Sequence, residues 1–278
     1  KDSGLALVAD KYDGYYTATL PGNSGYGSGY LMFTLDKSGK VKTAGKLSDG
    51  TSVSQAGTLI LDETGRVFTV VYAAPTAYKG GCVFGLAEFV NPVKGSVYLN
   101  SLDNAPFVWV SRNPQATSDY SKGGFNRQLG ITGGWYSKTE NLYGYYRDEK
   151  LEIGTAAGVP VPMITAGTLR EPSDWWNPDG IALTVVTNKA GVMTGITAPK
   201  AGVPVKNANG SYDYTTAQNT LGLKLSLTLA TGVFKGSYKA WFDYSDKHTS
   251  KSIIFEGALT PVRKNMDEVV GRGFFLWA

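Results

Sequence analysis

The chain has 278 residues, a net charge of +4, one cysteine and one histidine. That length buries a proper core in one large β domain or two ordinary ones. The lone Cys82 excludes an internal disulfide and a cysteine-based zinc site, and basic runs no longer than pairs such as Arg263-Lys264 argue against a nucleic-acid-binding face. No apolar run approaches the ~20 residues of a membrane-spanning helix. The 35 Gly and 17 Tyr point to a turn-rich sheet protein.

Residues 12–20, YDGYYTATL, alternate as a strand does and stop at Pro21-Gly22. Residues 29–47 read as one β-hairpin. Leu31, Phe33 and Leu35 alternate with Met32 and Thr34, Asp36-Lys37-Ser38-Gly39 turns, and Val41, Thr43 and Gly45 run back. An Asp-x-x-Gly turn suits a type I turn closed by a left-handed glycine. Residues 51–54 lead to a second hairpin at 58–72, whose turn Asp62-Glu63-Thr64-Gly65 repeats that chemistry. Strands follow at 81–90 and 106–110, then an irregular polar stretch at 111–127.

The pattern returns at 181–196, turning on Asn188-Lys189-Ala190-Gly191, and at 223–238, turning on Ala230-Thr231-Gly232. Leu221, Leu223, Leu225, Leu227 and Leu229 keep a period of two, as a strand with one buried face requires. Strands at 233–242, 252–259 and 269–277 close a four-strand meander, and no segment holds a helical period over three turns. Gly14-Tyr15-Tyr16, Gly134-Trp135-Tyr136 and Gly144-Tyr145-Tyr146 open similar segments. They point to an internal duplication, although generic hairpin chemistry produces much of the same pattern. The expected fold is all-β: two related antiparallel meander β-barrels or sandwiches built from Gly-turn hairpins. The first spans residues 1–112 and the second 113–278, with a longer insertion around 150–180.

Catalytic constellations are weak. His248 lies in a polar stretch at 243–250 and reads as a solvated turn. The glycines of 25–29 precede a strand where a phosphate loop needs a helix. Asp148 with Glu149 and Glu152, and Asp267 with Glu268, offer carboxylates, but neighbours on a strand point to opposite faces. Glu256, between Phe255 and Gly257, reads as an outward residue of an alternating strand. Cys82 reads as a small buried thiol. Oxygen ligands at 173–180 lack the spacing of an EF-hand loop. No cofactor motif and no metal site is read, and the chain is expected not to be an enzyme.

Trp175 and Trp176, adjacent in a polar loop, are the strongest binding hint. Trp135, Tyr136 and Tyr145 are their companions by sequence, with Tyr143 and Tyr146 beside them. The competing reading buries this pair at a barrel end. Tyr15, Tyr30, Tyr72, Tyr98 and Tyr238 sit on expected strands, with their hydroxyls reaching water.

Residues 27–51, with the order G-x-G-Y-L-x-F-T-L-D-K-S-G-K-V-K-x-A-G-K-L-x-D-G-T, resemble Gly/Tyr-rich β-repeat modules of large secreted or surface bacterial proteins. Residues 231–273, with F-K-G-S-Y, F-E-G-A-L and G-R-G-F-F, are similar to the closing part of such modules. The resemblance implies an extracellular or cell-surface module for structure, adhesion or assembly, and transfers no catalytic residue. Its expected partners are other protein subunits or surface glycans, with no nucleic acid and no membrane span. A carbohydrate-binding module is the second reading, and a glycan-acting hydrolase with unpaired carboxylates the third. Local function is expected where the pattern breaks, at 111–127 and 172–180.

Overall fold

Period-two alternation becomes strand through most of the chain, in a computed structural model that describes residues 8–21, 27–113, 124–137, 151–155, 162–166, 184–190, 193–198, 200, 204–209, 212–214, 219, 222–244, 247–262 and 265–276. The first sheet contains β1 (Gly14–Pro21), β2 (Ser28–Leu35), β3 (Lys40–Lys46), β4 (Ser52–Thr58), β5 (Ile60–Leu61), β6 (Val67–Ala73), β7 (Val83–Val90), β8 (Tyr98–Ser101), β9 (Phe107–Ser111), β10 (Phe125–Leu129) and β11 (Thr132–Trp135). Every ladder in it is antiparallel. Its hydrogen-bonded path runs β10-β9-β7-β8-β11-β1-β2-β3-β4, with β6 joined to β7 and β5 to β6. The sheet curls until β4 meets β6, where side chains rather than a ladder make the connection.

Alternation sends one set of side chains inside this curl. Tyr16, Ala18 and Leu20 enter from β1; Leu31, Phe33 and Leu35 from β2; Val83, Ala87 and Phe89 from β7; Phe107 and Trp109 from β9. Phe89 is the hub, meeting the rings of Tyr16, Phe33 and Tyr12 edge-on at centroid distances of 5.1, 6.1 and 6.4 Å. Such contacts add about 0.5–1.5 kcal/mol each beyond the burial itself. Burying Leu31, Phe33 and Leu35 contributes about 1.5–3 kcal/mol apiece. The opening hairpin therefore folds as its sequence indicates.

Its turn does too. Gly39 has φ +83°, and its amide donates to the Asp36 carbonyl at 2.9 Å. The Asp36 carboxylate accepts from the Ser38 amide, the Ser38 hydroxyl and the Lys40 amide at 2.9, 2.6 and 3.0 Å. Asp62 does the same for Thr64 and Arg66 in the second hairpin, where Gly65 has φ +85°. That hairpin is shorter than its sequence indicates: β5 pairs only Ile60 with Phe68 and Leu61 with Val67. Leu59 leaves the line because its amide bonds to the Gly39 carbonyl of the neighbouring hairpin.

The second sheet contains β12 (Leu151–Thr155), β13 (Pro162–Ala166), β18 (Lys224–Thr228), β19 (Val233–Tyr244), β20 (Lys247–Val262) and β21 (Asn265–Leu276), in the order β12-β13-β21-β20-β19-β18. Its last four strands are the expected meander. Two separate hairpins pair β14 (Thr184–Thr187) with β15 (Met193–Thr197), and β16 (Pro204–Lys206) with β17 (Tyr212–Tyr214). The fold is all-β and antiparallel, built of meanders turning on glycine.

Several elements differ from the sequence reading. The four residues of β8 form a strand between β7 and β11. The far end of the polar stretch at 111–127 enters β10, and both β10 and β11 belong to the first sheet. In β18, Leu225 and Leu227 are half-buried and only the preceding Leu223 is fully covered, because β18 ends its sheet. Cys82 is half-buried rather than enclosed. His248 lies within β20, its backbone opposite Asp243, so the β19–β20 turn is tighter than a loop over 243–250. Among the described residues no helix is long and apolar enough to cross a membrane.

Candidate interaction surface

The outer wall of the curled sheet has three faces of different chemistry. On β3 and β4 the exposed outward residues are small or charged: Lys40, Lys42 and Ala44, then Ser52, Ser54, Ala56 and Thr58. On β1, β2 and β11 the outer face is covered by the second sheet. On β6, β7 and β9 it is open and, apart from Glu88 opposite Phe68, apolar.

The covered face is a polar and apolar joint. Tyr30, Ala258 and Phe274 are buried together, with Met32 and Val233 packed against them. The Tyr15 hydroxyl donates to the Thr231 carbonyl at 3.1 Å, Thr17 to Leu259 at 2.7 Å, and Tyr136 to Leu229 at 2.7 Å. Glu256 is not an outward solvated acid. Its strand does point it outward, but that face meets β2 and β3, where the Tyr30 hydroxyl donates to one carboxylate oxygen and Lys46 pairs with the other at 2.6 Å. Burial, and then the bond to Glu256, pushes the Tyr30 hydroxyl well above the usual phenol range. Burial does the same to Tyr15. The hydroxyls of Tyr15 and Tyr30 thus close the joint rather than reach water, while burial pushes Tyr238 up to about 12.

Of the sequence-indicated binding residues, Tyr136 belongs to this joint and Trp135 to the core of the curl. Tyr136 is buried, its ring edge-on to Tyr15 at 6.0 Å. Trp135 is half-buried against the core of the curl and pairs with Tyr16. Neither stands out as a stacking platform. Trp175, Trp176 and Tyr145 lie outside the described residues, as do Tyr143, Tyr146, the 173–180 turn, and Asp148 with Glu149. The side chains of Glu152, Asp267 and Glu268 fall outside the description as well.

Arg127, from the polar stretch, turns into the curl, its guanidinium carbon 4.6 Å from the Phe125 ring centre and 5.7 Å from that of Trp109. Those two rings meet edge-on at 4.6 Å, and Tyr78 joins them while its hydroxyl donates to Asp49 at 2.8 Å. Burial, then the Asp49 charge, raises the Tyr78 hydroxyl above its ordinary value. This cluster plugs the core.

The open face carries the exposed aromatics. Register places Tyr72 of β6 opposite Phe84 of β7, Phe84 opposite Val108 of β9, and Val108 opposite Gln128 of β10. Tyr72 is 52% exposed, Phe84 45% and Val108 39%, and Asn126 and Gln128 are exposed beside them. Phe68, Val70, Leu86 and Val110 share the face and are half-buried. Strands ~4.8 Å apart make the line from Tyr72 to Gln128 ~14 Å long. Each aromatic shows water about 100 Å², half of the roughly 200 Å² such side chains carry. With Val108 the stripe approaches about 300 Å², which matches the largest apolar patch on an ordinary monomer, often a functional one.

Periodicity alone does not mark this face as open, because it looks inside out. On β7 the large residues Phe84 and Leu86 point outward, while Gly85 and Ala87 point in. A Cβ on Gly85 would lie 2.1 Å from the Phe107 ring, so Phe107 occupies the space a larger inward side chain would need. The available signal was that inversion: large apolar residues alternating with small ones on a strand next to a core aromatic.

Comparison with protein-family models and with curated proteins finds no match.

Proposed function

We propose that the protein is a non-catalytic extracellular module that contacts other protein subunits through the open β6–β7–β9 face. The observation that carries this reading is the Tyr72–Phe84–Val108 stripe: adjacent large apolar side chains held out to water on a sheet whose core already excludes them. A surface of this kind gains free energy when covered, by about 25 cal/mol per Å². Covering about 300 Å² supplies enough for a weak, repeated contact and not for an obligate dimer, which buries far more. Weak contacts of that kind serve adhesion and assembly, where many act together. The resemblance of residues 27–51 and 231–273 to β-repeat modules of secreted and surface bacterial proteins supports the same reading and the cell-surface location.

A second reading is supported by what lies at the end of the stripe. Two aromatic side chains opposite one another on neighbouring strands, in line with the amides of Gln128 and Asn126, combine a stacking surface with hydrogen-bonding groups, which is what a glycan requires. The test of both is the double substitution Tyr72→Ser/Phe84→Ser, assayed by sedimentation across a concentration series and on a glycan array. Subunit assembly predicts self-association that the double variant lacks. Glycan binding predicts array signals that it lacks. A wild-type protein that stays monomeric and silent on the array would sink both.

A further inference from the structure

The open face carries opposite charges at its two ends. Register sets Phe84 of β7 opposite Val108 of β9, so the stripe crosses both strands at one level. Glu88 points outward four residues along β7 from Phe84, opposite Phe68 of β6. Two residues before Phe68, Arg66 is held by both Asp62 and Asp103, so this end carries three acids against one base. At the other end, alternation along β9 runs outward through Val108 and Val110 to Arg112, four residues from Val108. The Arg112 amide donates to the Tyr78 carbonyl at 2.9 Å, which brings Lys79 alongside. Arg112 and Lys79 are both exposed, and neither enters an ion pair among the described residues.

β7 and β9 are antiparallel, so Glu88 and Arg112 lie on opposite sides of the stripe. At ~3.4 Å per residue each is ~14 Å from it along the strands. The stripe thus divides the face evenly between an acidic and a basic end. A half-turn about an axis in the plane of contact, laid along the stripe, exchanges those ends. It sets Phe84 over Phe84 and Val108 over Val108, and brings Glu88 to Arg112 and Lys79 of the other copy, twice by symmetry. The face is complementary to itself, as an isologous contact requires. A foreign partner needs an apolar line with the same two charged ends in reverse order; a second copy already has it.

We propose that the open face pairs with the same face of a second copy of this chain, in a two-fold contact centred on the stripe. This rests on reading the face as a protein contact and names its partner and symmetry. Two stripes of ~300 Å² bury about 600 Å² in total, well under a standard interface, so the dimer is weak and transient. Its exposed ion pairs set orientation more than strength.

The test uses the whole chain carrying Glu88→Arg or Arg112→Glu, followed by sedimentation across a concentration series. Wild type is expected to dimerise, and less so as salt rises. Each single reversal sets like charges together twice and weakens the dimer by about tenfold. Mixed in equal amounts, the two variants form a heterodimer in which both contacts are again of opposite sign. The double reversal Glu88→Arg/Arg112→Glu regains the wild-type dimer. Should Glu88→Arg fold poorly, Glu88→Gln added to Arg112→Glu removes the like-charge contact and recovers part of the lost affinity. A wild type that stays monomeric, single reversals that dimerise as it does, or a mixture no more associated than its components would overturn the proposal. If Tyr72→Ser/Phe84→Ser meanwhile loses assembly or glycan binding, the interaction reading stands and only the two-fold arrangement is wrong.

Discussion

Replacing Tyr30 by Phe removes one hydroxyl from the joint between the two sheets and leaves the ring in place. The ring is buried, and the hydroxyl donates to Glu256, whose side chain is 21% exposed and also pairs with Lys46. A hydrogen bond to a charged group contributes about 1.5–3 kcal/mol, and the partial exposure of Glu256 selects the lower end, about 1.5 kcal/mol. Lys46 is 35% exposed, so its ion pair adds at most about 1 kcal/mol. At about 2–4 °C per kcal/mol for a chain of this size, Tyr30→Phe lowers Tm by about 3–6 °C. The decisive assay is a double-mutant cycle of Tyr30→Phe and Glu256→Gln in urea melts, with a coupling of about 1 kcal/mol expected. Strictly additive effects would show that the two side chains do not hold the sheets together.

Acid should loosen the second hairpin. The Thr64 hydroxyl, followed by the Arg66 amide and guanidinium and the Thr64 amide, lowers Asp62 to about 2 from an ordinary 3.8. Stability from that carboxylate is complete above pH ~4 and is lost as pH falls through about 2, and Asp62→Asn should flatten that limb of a Tm-against-pH curve. At the alkaline end, burial raises Tyr15, Tyr16, Tyr30 and Tyr78 above 10. Stability they contribute is intact below pH 10 and falls as pH rises beyond it, so an absorbance titration should show these phenols ionising only with unfolding. Gly85→Ala drives a methyl group into the Phe107 ring and should cost about 1–3 kcal/mol in chemical melts, whereas Gly65→Ala meets no side chain and is limited by its φ of +85°. Equal losses at the two sites would contradict the packing described for Phe107.

The opening hairpin was legible because both of its signals are local. Leu31, Phe33 and Leu35 share a face by period two, and Asp36 and Gly39 carry turn chemistry in their own side chain and backbone. The joint was not legible, because periodicity says which residues share a face and not what that face meets. Tyr15, Thr17 and Tyr30 look like ordinary outward positions, and so does Glu256; only the arrival of a sheet more than two hundred residues away makes them interior. The aromatic stripe was hidden for a related reason. Every position of β6 is apolar, β-branched or small, so its sequence alone does not tell the Val67-Thr69-Val71 face from the Phe68-Val70-Tyr72 face. The closure of β4 on β6 through the Gln55 amide carries no sequence signal at all, since a glutamine on a strand reads as solvated.

The central claim is that the β6–β7–β9 face is a contact surface. Its most direct test compares wild type with Tyr72→Ser/Phe84→Ser by sedimentation and glycan array, with thermal melts confirming that both fold. The account predicts association or glycan signals in the wild type that vanish in the variant at unchanged Tm. Binding that persists in the variant, or a wild type that shows none by either measurement, would contradict it.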